Sequence, residues 1–142
     1  NNTYERMAQN LLAFYRNDDA DIAWYDRTIR NAFANMKEGI DLLTAMVEMA
    51  KDDHELDLIA AGPVMELLSL HGTKALRELA RIGETSNTMK FTLEETWIDP
   101  QDDSYSDLVE LGGKLGFDLK APQVLKSTVK IGTGDPPDSI FE

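Results

Sequence analysis

The run Asp-Asp-His-Glu-Leu-Asp at residues 52–57 is the part of this chain that most resembles a catalytic or metal-binding cluster. His54 and Asp57 are three residues apart, so on a helix they share a face and could share a proton or a metal ion. A metal site needs three or four converging ligands, and this cluster supplies one histidine. Acidic residues also begin helices, where Asp53 would accept hydrogen bonds from free backbone N–H groups. The pattern therefore favours a capped helix start over a metal site.

His71 is the second candidate for acid–base chemistry. A general base needs a group that orients its imidazole, and Glu66, five residues earlier, is poorly placed on a helix to do so. A histidine directly before Gly72 is typical of a helix C-terminus, where it complements the helix dipole. We therefore predict a structural role for His71, with no catalytic residue and no cofactor. A small enzyme with its site between Gly62 and His71 stays as an alternative.

The charge balance narrows the class of partner. The 142 residues include 26 Asp and Glu against 14 Lys and Arg, a net charge of −12. Binding to nucleic acid requires basic clusters that release counterions from phosphates, and anionic membranes also attract basic segments. No apolar run reaches the roughly 18 residues needed to span a bilayer. We therefore expect neither a nucleic-acid partner nor a membrane partner.

Cysteine is absent, which excludes disulfides, thiolate metal ligands and a cysteine nucleophile. This composition favours a cytoplasmic location, and we expect no metal. The chain begins Asn1-Asn2 rather than with Met, so a removed signal peptide stays an alternative.

Helical periodicity dominates residues 3–98. Tyr4, Met7 and Leu11 begin a stripe at helical spacing, and comparable stripes recur along this part of the chain. In residues 36–51, Leu42 and Met49 lie off the main stripe, so we expect this helix to be covered on more than one side.

The helix boundaries follow from capping and breaking residues. Thr3 and Ser86 are predicted N-caps, the latter for a helix running through Trp97. Gly62-Pro63 is predicted to end one helix and begin the next, and Gly72 to terminate a helix in a left-handed conformation.

The predicted fold is all-α, either a compact bundle or a short stack of antiparallel helical hairpins. An irregular C-terminal segment follows, in which residues 127–131 alternate with β-branched side chains and are the candidate for one short strand. We assign residues 1–131 to a single helical domain and residues 132–142 to a C-terminal loop or tail.

Three segments between residues 53 and 97 have an unusual spacing. They are Ala-Ala-Gly-Pro-Val-Met-Glu-Leu-Leu at 60–68, His71-Gly72, and Leu-Glu-Glu-Thr-Trp at 93–97. They resemble a bacterial family of unknown function with the signature Ala-Ala-Gly-Pro-Leu-Glu-Asp/Asn-Leu-Leu, then His-Gly, then Leu-x-x-Val-Trp. This resemblance covers about a third of the chain and implies a small all-helical domain, without a known activity. The first acid of the family signature falls on Met65 here, and its Val on Thr96.

The same motif has a purely structural explanation. Small Ala60 and Ala61 would let two helices approach closely, Gly62 would permit a positive φ, and Pro63 would pre-set the next helix. We favour this helix–turn–helix interpretation over an active site.

Acidic residues are clustered rather than dispersed. Residues 91–110 contain seven acids and no base, and residues 17–26 contain four acids and no base, whereas residues 114–130 carry four Lys against Asp118. Clustered charge steers a partner of opposite sign and accelerates association. The seven acids of residues 91–110 are the predicted partner-binding residues, here called the acidic surface: Glu94, Glu95, Asp99, Asp102, Asp103, Asp107 and Glu110.

We therefore expect an acidic helical protein-binding module for a basic protein. The most concrete version is a bacterial immunity-type protein that neutralises a basic toxin. Besides the small enzyme, a structural module that forms homo-oligomers through an apolar helix face, such as that of residues 36–51, is an alternative.

Overall fold

Seven α-helices and one π-helical turn make up the two ranges, residues 2–16 and 22–120, that the computed structural model describes. No strand occurs within these ranges, so the all-α prediction is confirmed. The candidate strand at residues 127–131 and the proposed tail at 132–142 lie outside them. The helices are α1 (Asn2–Arg16), α2 (Ile22–Phe33), α3 (Met36–Met49), α4 (Asp53–Ile59), α5 (Met65–Gly83), α6 (Asn87–Glu94) and α7 (Tyr105–Leu115), with the π turn at Ala60–Val64.

Helix α3 is the centre of the fold. It packs against α1, α2, α4, α5 and α6, and Leu42, Leu43, Met46 and Val47 are fully buried. The prediction that residues 36–51 are covered on more than one side is confirmed. Because this apolar face is covered within the chain, it is not available to the homo-oligomer alternative.

Close packing around α3 depends on Gly39. A Cβ at this position would lie 2.8 Å from Leu67 Cδ1 and 2.9 Å from Phe33 Cδ1. Real side chains do not tolerate such distances, so Gly39 lets α2 and α5 approach the α3 backbone.

The break predicted at Gly62-Pro63 is wrong. The chain passes from α4 to α5 through the π turn, which contains Pro63, and Gly62 does not have a positive φ. Proline lacks an N–H and clashes with the carbonyl four residues earlier, and a wider turn accommodates both effects. The structural interpretation of the Ala pair is half right, because Ala60 is buried whereas Ala61 is exposed.

Helix α5 is kinked at Gly72. Its φ of 66° and ψ of −143° are outside the helical range and accessible chiefly to glycine. The predicted left-handed helix terminator at Gly72 is half right, because φ is positive but ψ is not that of a left-handed helical residue, and the helix resumes immediately and continues to Gly83.

Three helix ends differ from the sequence prediction by one to three residues. Helix α1 begins at Asn2, so Thr3 lies within it, and the N-cap of α4 is Asp52 rather than Asp53. Helix α6 ends at Glu94 instead of continuing through Trp97. The predicted cap at Ser86 is confirmed, because its hydroxyl accepts a hydrogen bond from the Met89 N–H at 3.2 Å.

The described helices share one hydrophobic core, to which Leu11, Phe33, Leu67, Leu93 and Leu108 contribute. Across residues 2–16 and 22–120, no helix combines the length and the apolar character required to cross a membrane.

Candidate protein-binding surface

The acidic surface occupies one continuous stretch, from the last residue of α6 to the second turn of α7. Six of its seven carboxylates are on exposed residues, and Asp102 is half-buried. Glu94 and Glu95 end α6, Asp107 and Glu110 belong to α7, and the three remaining aspartates lie in the connection.

Glu94 and Glu95 stand at the unfavourable end of a helix. Glu94 is the last residue of α6 and Glu95 is its C-cap. The C-terminus of a helix carries a partial negative charge, so carboxylates there are destabilising by about 0.3–1 kcal/mol each at low ionic strength. Asp107, by contrast, lies in the first turn of α7, where a negative charge is favourable.

Buried threonines hold the end of α6 in place. Thr92 and Thr96 are 0% and 2% exposed, and each hydroxyl donates to the carbonyl four residues earlier, at 2.7 and 2.8 Å. Their burial leaves no unsatisfied hydroxyl, and it fixes the backbone that carries Glu94 and Glu95.

Asp99 and Asp102 also have a structural role that the partner-binding prediction did not include. The Oδ1 of Asp99 accepts the Gln101 N–H at 2.9 Å, and that of Asp102 accepts the Ser104 N–H at 2.8 Å. Such turns, in which an aspartate binds the backbone two residues later, are common for this residue type. The Asp-Pro-Gln and Asp-Asp-Ser sequences carried this signal. One oxygen of each carboxylate remains for a partner.

The connection and α7 form a segment that leaves the end of α6 and returns to it. Ile98 is buried, and its N–H donates to the Leu119 carbonyl at 2.8 Å. Gly116, with φ 95°, terminates α7, and the Phe117 N–H donates to the Gly112 carbonyl at 2.7 Å. With the bond from the Gly116 N–H to the Gly113 carbonyl at 3.2 Å, this bond completes a Schellman motif, and the Ile98–Leu119 bond returns the chain to the end of α6.

Almost none of the acidic surface is neutralised by a base in the described part of the chain. Lys114 Nζ lies 3.6 Å from Glu110 Oε2, and both side chains are about 70% exposed. The other ion pairs between described residues are Arg16–Glu55, Lys37–Asp41 and Arg81–Glu78, all outside the acidic surface. An exposed pair such as Lys114–Glu110 contributes little, so the surface keeps its negative field.

The other charge clusters are only partly described. Of the acidic stretch at 17–26, the described portion contains Asp26, which is exposed. Of the lysine-bearing stretch at 114–130, Lys114 and Lys120 are described and exposed, whereas Lys126 and Lys130 lie outside the described ranges.

The cluster at residues 52–57 is a capped helix start, although the cap lies one residue before the predicted Asp53. The Asp52 carboxylate accepts the Glu55 N–H at 3.0 Å, and His54 and Asp57 are both exposed. Nowhere in residues 2–16 and 22–120 do three or more His, Asp or Glu side chains converge on a position that could hold a metal ion.

His71 binds the backbone of another helix. Its Nε2 donates to the carbonyl of Phe33, the last residue of α2, at 2.7 Å. Because a carbonyl can only accept, this nitrogen carries the ring proton. Glu66 lines a separate cleft with Gly62, and neither His54 nor His71 is among the residues that line it.

A partly buried cluster of polar side chains was not predicted from the sequence. Glu55, 2% exposed, accepts two hydrogen bonds from Arg16, and the neighbouring Tyr15 and Tyr25 hydroxyls are hydrogen-bonded to each other. The Arg16 hydrogen bonds lower the pKa of Glu55 to about 2, against an opposing effect of burial. The spacing Asp52-x-x-Glu55, typical of a capping box, was the local signal for this acid.

A scan of protein-family models and searches of curated proteins and of solved structures find no match to this chain. The resemblance of residues 53–97 to a bacterial family therefore stays a prediction.

Proposed function

We propose that this protein binds a basic protein through the acidic surface, and that it is a bacterial immunity-type protein that neutralises a basic toxin in the cytoplasm. The observation that supports this proposal most strongly is the set of exposed carboxylates of which one, Glu110, has a base within ion-pair distance in the described chain.

The energetic argument begins at α6. Glu94 and Glu95 are expected to lower the stability of the free protein, because they add negative charge to the negative end of a helix. A cationic partner would remove this penalty on binding. Relief of this repulsion would therefore contribute favourably to the binding free energy.

Hydrogen bonds within the chain also hold the backbone of the acidic surface in place. The buried threonines fix the end of α6, and the two aspartate turns fix the connection. A rigid array loses little conformational entropy on association, which favours affinity. Complementary charge adds a fast, salt-sensitive association rate.

A toxin that cleaves nucleic acid is the partner class that such an array suits best. Enzymes of this class need basic surfaces to bind phosphates. A protein that presents several fixed carboxylates would occupy the same basic surface and exclude the nucleic acid.

Two matched variants test this function. One neutralises four acids of the acidic surface (E94Q, E95Q, D103N, D107N), and the other neutralises four exposed acids elsewhere (E5Q, E48Q, D57N, E84Q). Both remove the same charge, so only position differs. We expect the wild type and the second variant to capture a basic protein from the native host, and the first variant to lose it. Capture should weaken at high salt. Equal capture by both variants would contradict the proposal.

A further inference from the structure

A small cleft lies between α2 and the π turn, and it shares no residue with the acidic surface. Asp26, Ile29 and Arg30 line it from α2, and Gly62, Pro63 and Glu66 line it from the other side. Three of these residues belong to the Gly-Pro-x-x-Glu segment that the proposed function does not use.

The cleft presents both signs of charge without pairing them. Arg30 is exposed. The ion pairs between described residues include none that joins Arg30 to Asp26 or to Glu66. Asp26 and Arg30 are four residues apart on one helix, a spacing at which opposite charges commonly pair. Here a guanidinium and two carboxylates border one space, each available to a group of opposite charge.

Gly62 lines the cleft at a position where the local structure does not require glycine. Its φ is not positive, and a Cβ built on it would meet no atom within 4 Å. Glycine in a helix costs about 1 kcal/mol relative to alanine. Neither the backbone nor the packing requires glycine here, and Gly62 is exposed where it lines the cleft.

The volume of the cleft limits the size of the ligand that it can hold. The cleft holds about 140 Å³, which is below the roughly 300–1,000 Å³ of sites for drug-sized molecules. Ile29 and Pro63 are buried and supply an apolar wall. A ligand that fits must therefore be small, with a short apolar group against that wall, and a zwitterion would match both signs of charge at the cleft.

We propose that this cleft binds a free α-amino acid or a zwitterion of that size. Arg30 binds the carboxylate, Asp26 and Glu66 bind the ammonium group, and the side chain of the ligand contacts Ile29 and Pro63. Bidentate recognition of a carboxylate is the interaction to which a guanidinium is best suited.

The test titrates the full chain with L-alanine and follows backbone amide resonances by NMR. Ethylammonium and propionate are the matched controls, because each is alanine without one of its charged groups. We expect saturable shifts confined to residues 26–30 and 62–66, with at least about tenfold weaker binding of either control. The absence of saturable shifts with L-alanine, or equal binding of a control, would overturn the proposal.

Two variants connect binding to the cleft. Gly62→Leu should abolish the shifts with L-alanine without lowering the melting temperature, since the position is open and leucine favours a helix. Arg30→Gln should weaken L-alanine about tenfold and leave ethylammonium unchanged. Wild-type affinity in Gly62→Leu would show that the cleft is not the site. Because the acidic surface is untouched, the result is independent of the capture experiment.

Discussion

Arg16 and Glu55 join the end of α1 to the first turn of α4 through a two-point ion pair. Arg16 Nε lies 2.5 Å from Glu55 Oε2, and Nη2 lies 2.8 Å from Oε1. Glu55 also accepts the Lys51 N–H at 3.0 Å, so a nearly inaccessible carboxylate has three donors. These three hydrogen bonds allow a charged carboxylate to be nearly inaccessible to solvent, because an unpaired buried carboxylate would be strongly destabilising.

Removing the charge of Glu55 should destabilise the protein in a pH-dependent way. The pKa of Glu55 falls from 4.5 to about 2 on folding, so its stabilisation is complete above pH 4.5 and is lost as the pH falls towards 2. We expect Glu55→Gln to lower the free energy of unfolding by about 2 kcal/mol at neutral pH. In urea unfolding, the difference from wild type should shrink between pH 4.5 and 2.

Asp41→Asn is the matched control for this prediction. Asp41 pairs with Lys37 at 2.9 Å, but the Lys37 side chain is 83% exposed. An exposed pair of this spacing contributes about 0.3–0.5 kcal/mol. A loss in Asp41→Asn as large as that in Glu55→Gln would contradict the distinction between a buried and an exposed pair.

Two glycine-to-alanine changes should have opposite effects. Gly39→Ala places a methyl group within 2.9 Å of two core side chains and 3.2 Å from the Phe33 Cα, so we expect a loss of about 1–3 kcal/mol. Gly62→Ala enters open space in a helical backbone, so we expect a gain of about 0.5–1 kcal/mol. Thermal unfolding measures both, and a common sign would refute the packing argument.

The Tyr15–Tyr25 pair should resist ionisation. Burial raises the pKa of Tyr25 to about 12, and burial together with Tyr25 raises the pKa of Tyr15 well above its ordinary 10.0. Stability from this pair is therefore complete below pH 10 and is lost as the pH rises through about 12. Spectrophotometric titration should show late tyrosinate absorbance, which is absent from the double variant Y15F/Y25F. Titration of the pair near pH 10 in the native protein would contradict this prediction.

Neutralising the end of α6 should stabilise the free protein. We expect Glu94→Gln and Glu95→Gln each to raise the free energy of unfolding by about 0.3–1 kcal/mol at low salt. Asp107→Asn, at the favourable end of α7, should lower it by a similar amount. Urea unfolding at low and high salt measures all three. Loss of stability in the two Glu variants would remove the energetic argument for the acidic surface.

Periodicity predicted the helices because the apolar stripe of each segment is a local property. Leu42 lay off the main stripe of α3, which correctly indicated a second covered side. Capping chemistry is local too, which is why Ser86 and the positive φ of Gly72 were predictable.

Features that depend on distant partners were not predictable in this way. The burial of Glu55 depends on Arg16, 39 residues earlier, and no local pattern specifies that pair. The π turn at Pro63 depends on packing strong enough to keep the chain helical where propensity predicts a break. The clustering of acids and the local signal for the turns at Asp99 and Asp102 were visible in the sequence, whereas the position of Glu95 as a C-cap needed the structure.

The Ile98–Leu119 hydrogen bond bears on how the segment that carries most of the acidic surface would unfold locally. This bond joins both ends of the segment that carries most of the acids, and α7 packs chiefly on α5. Such a segment can detach as one cooperative unit while the rest of the molecule stays folded. Amide hydrogen exchange would then reveal residues 98–119 opening together, and a bound partner would raise the free energy of that opening by an amount that grows with the ratio of its concentration to its Kd.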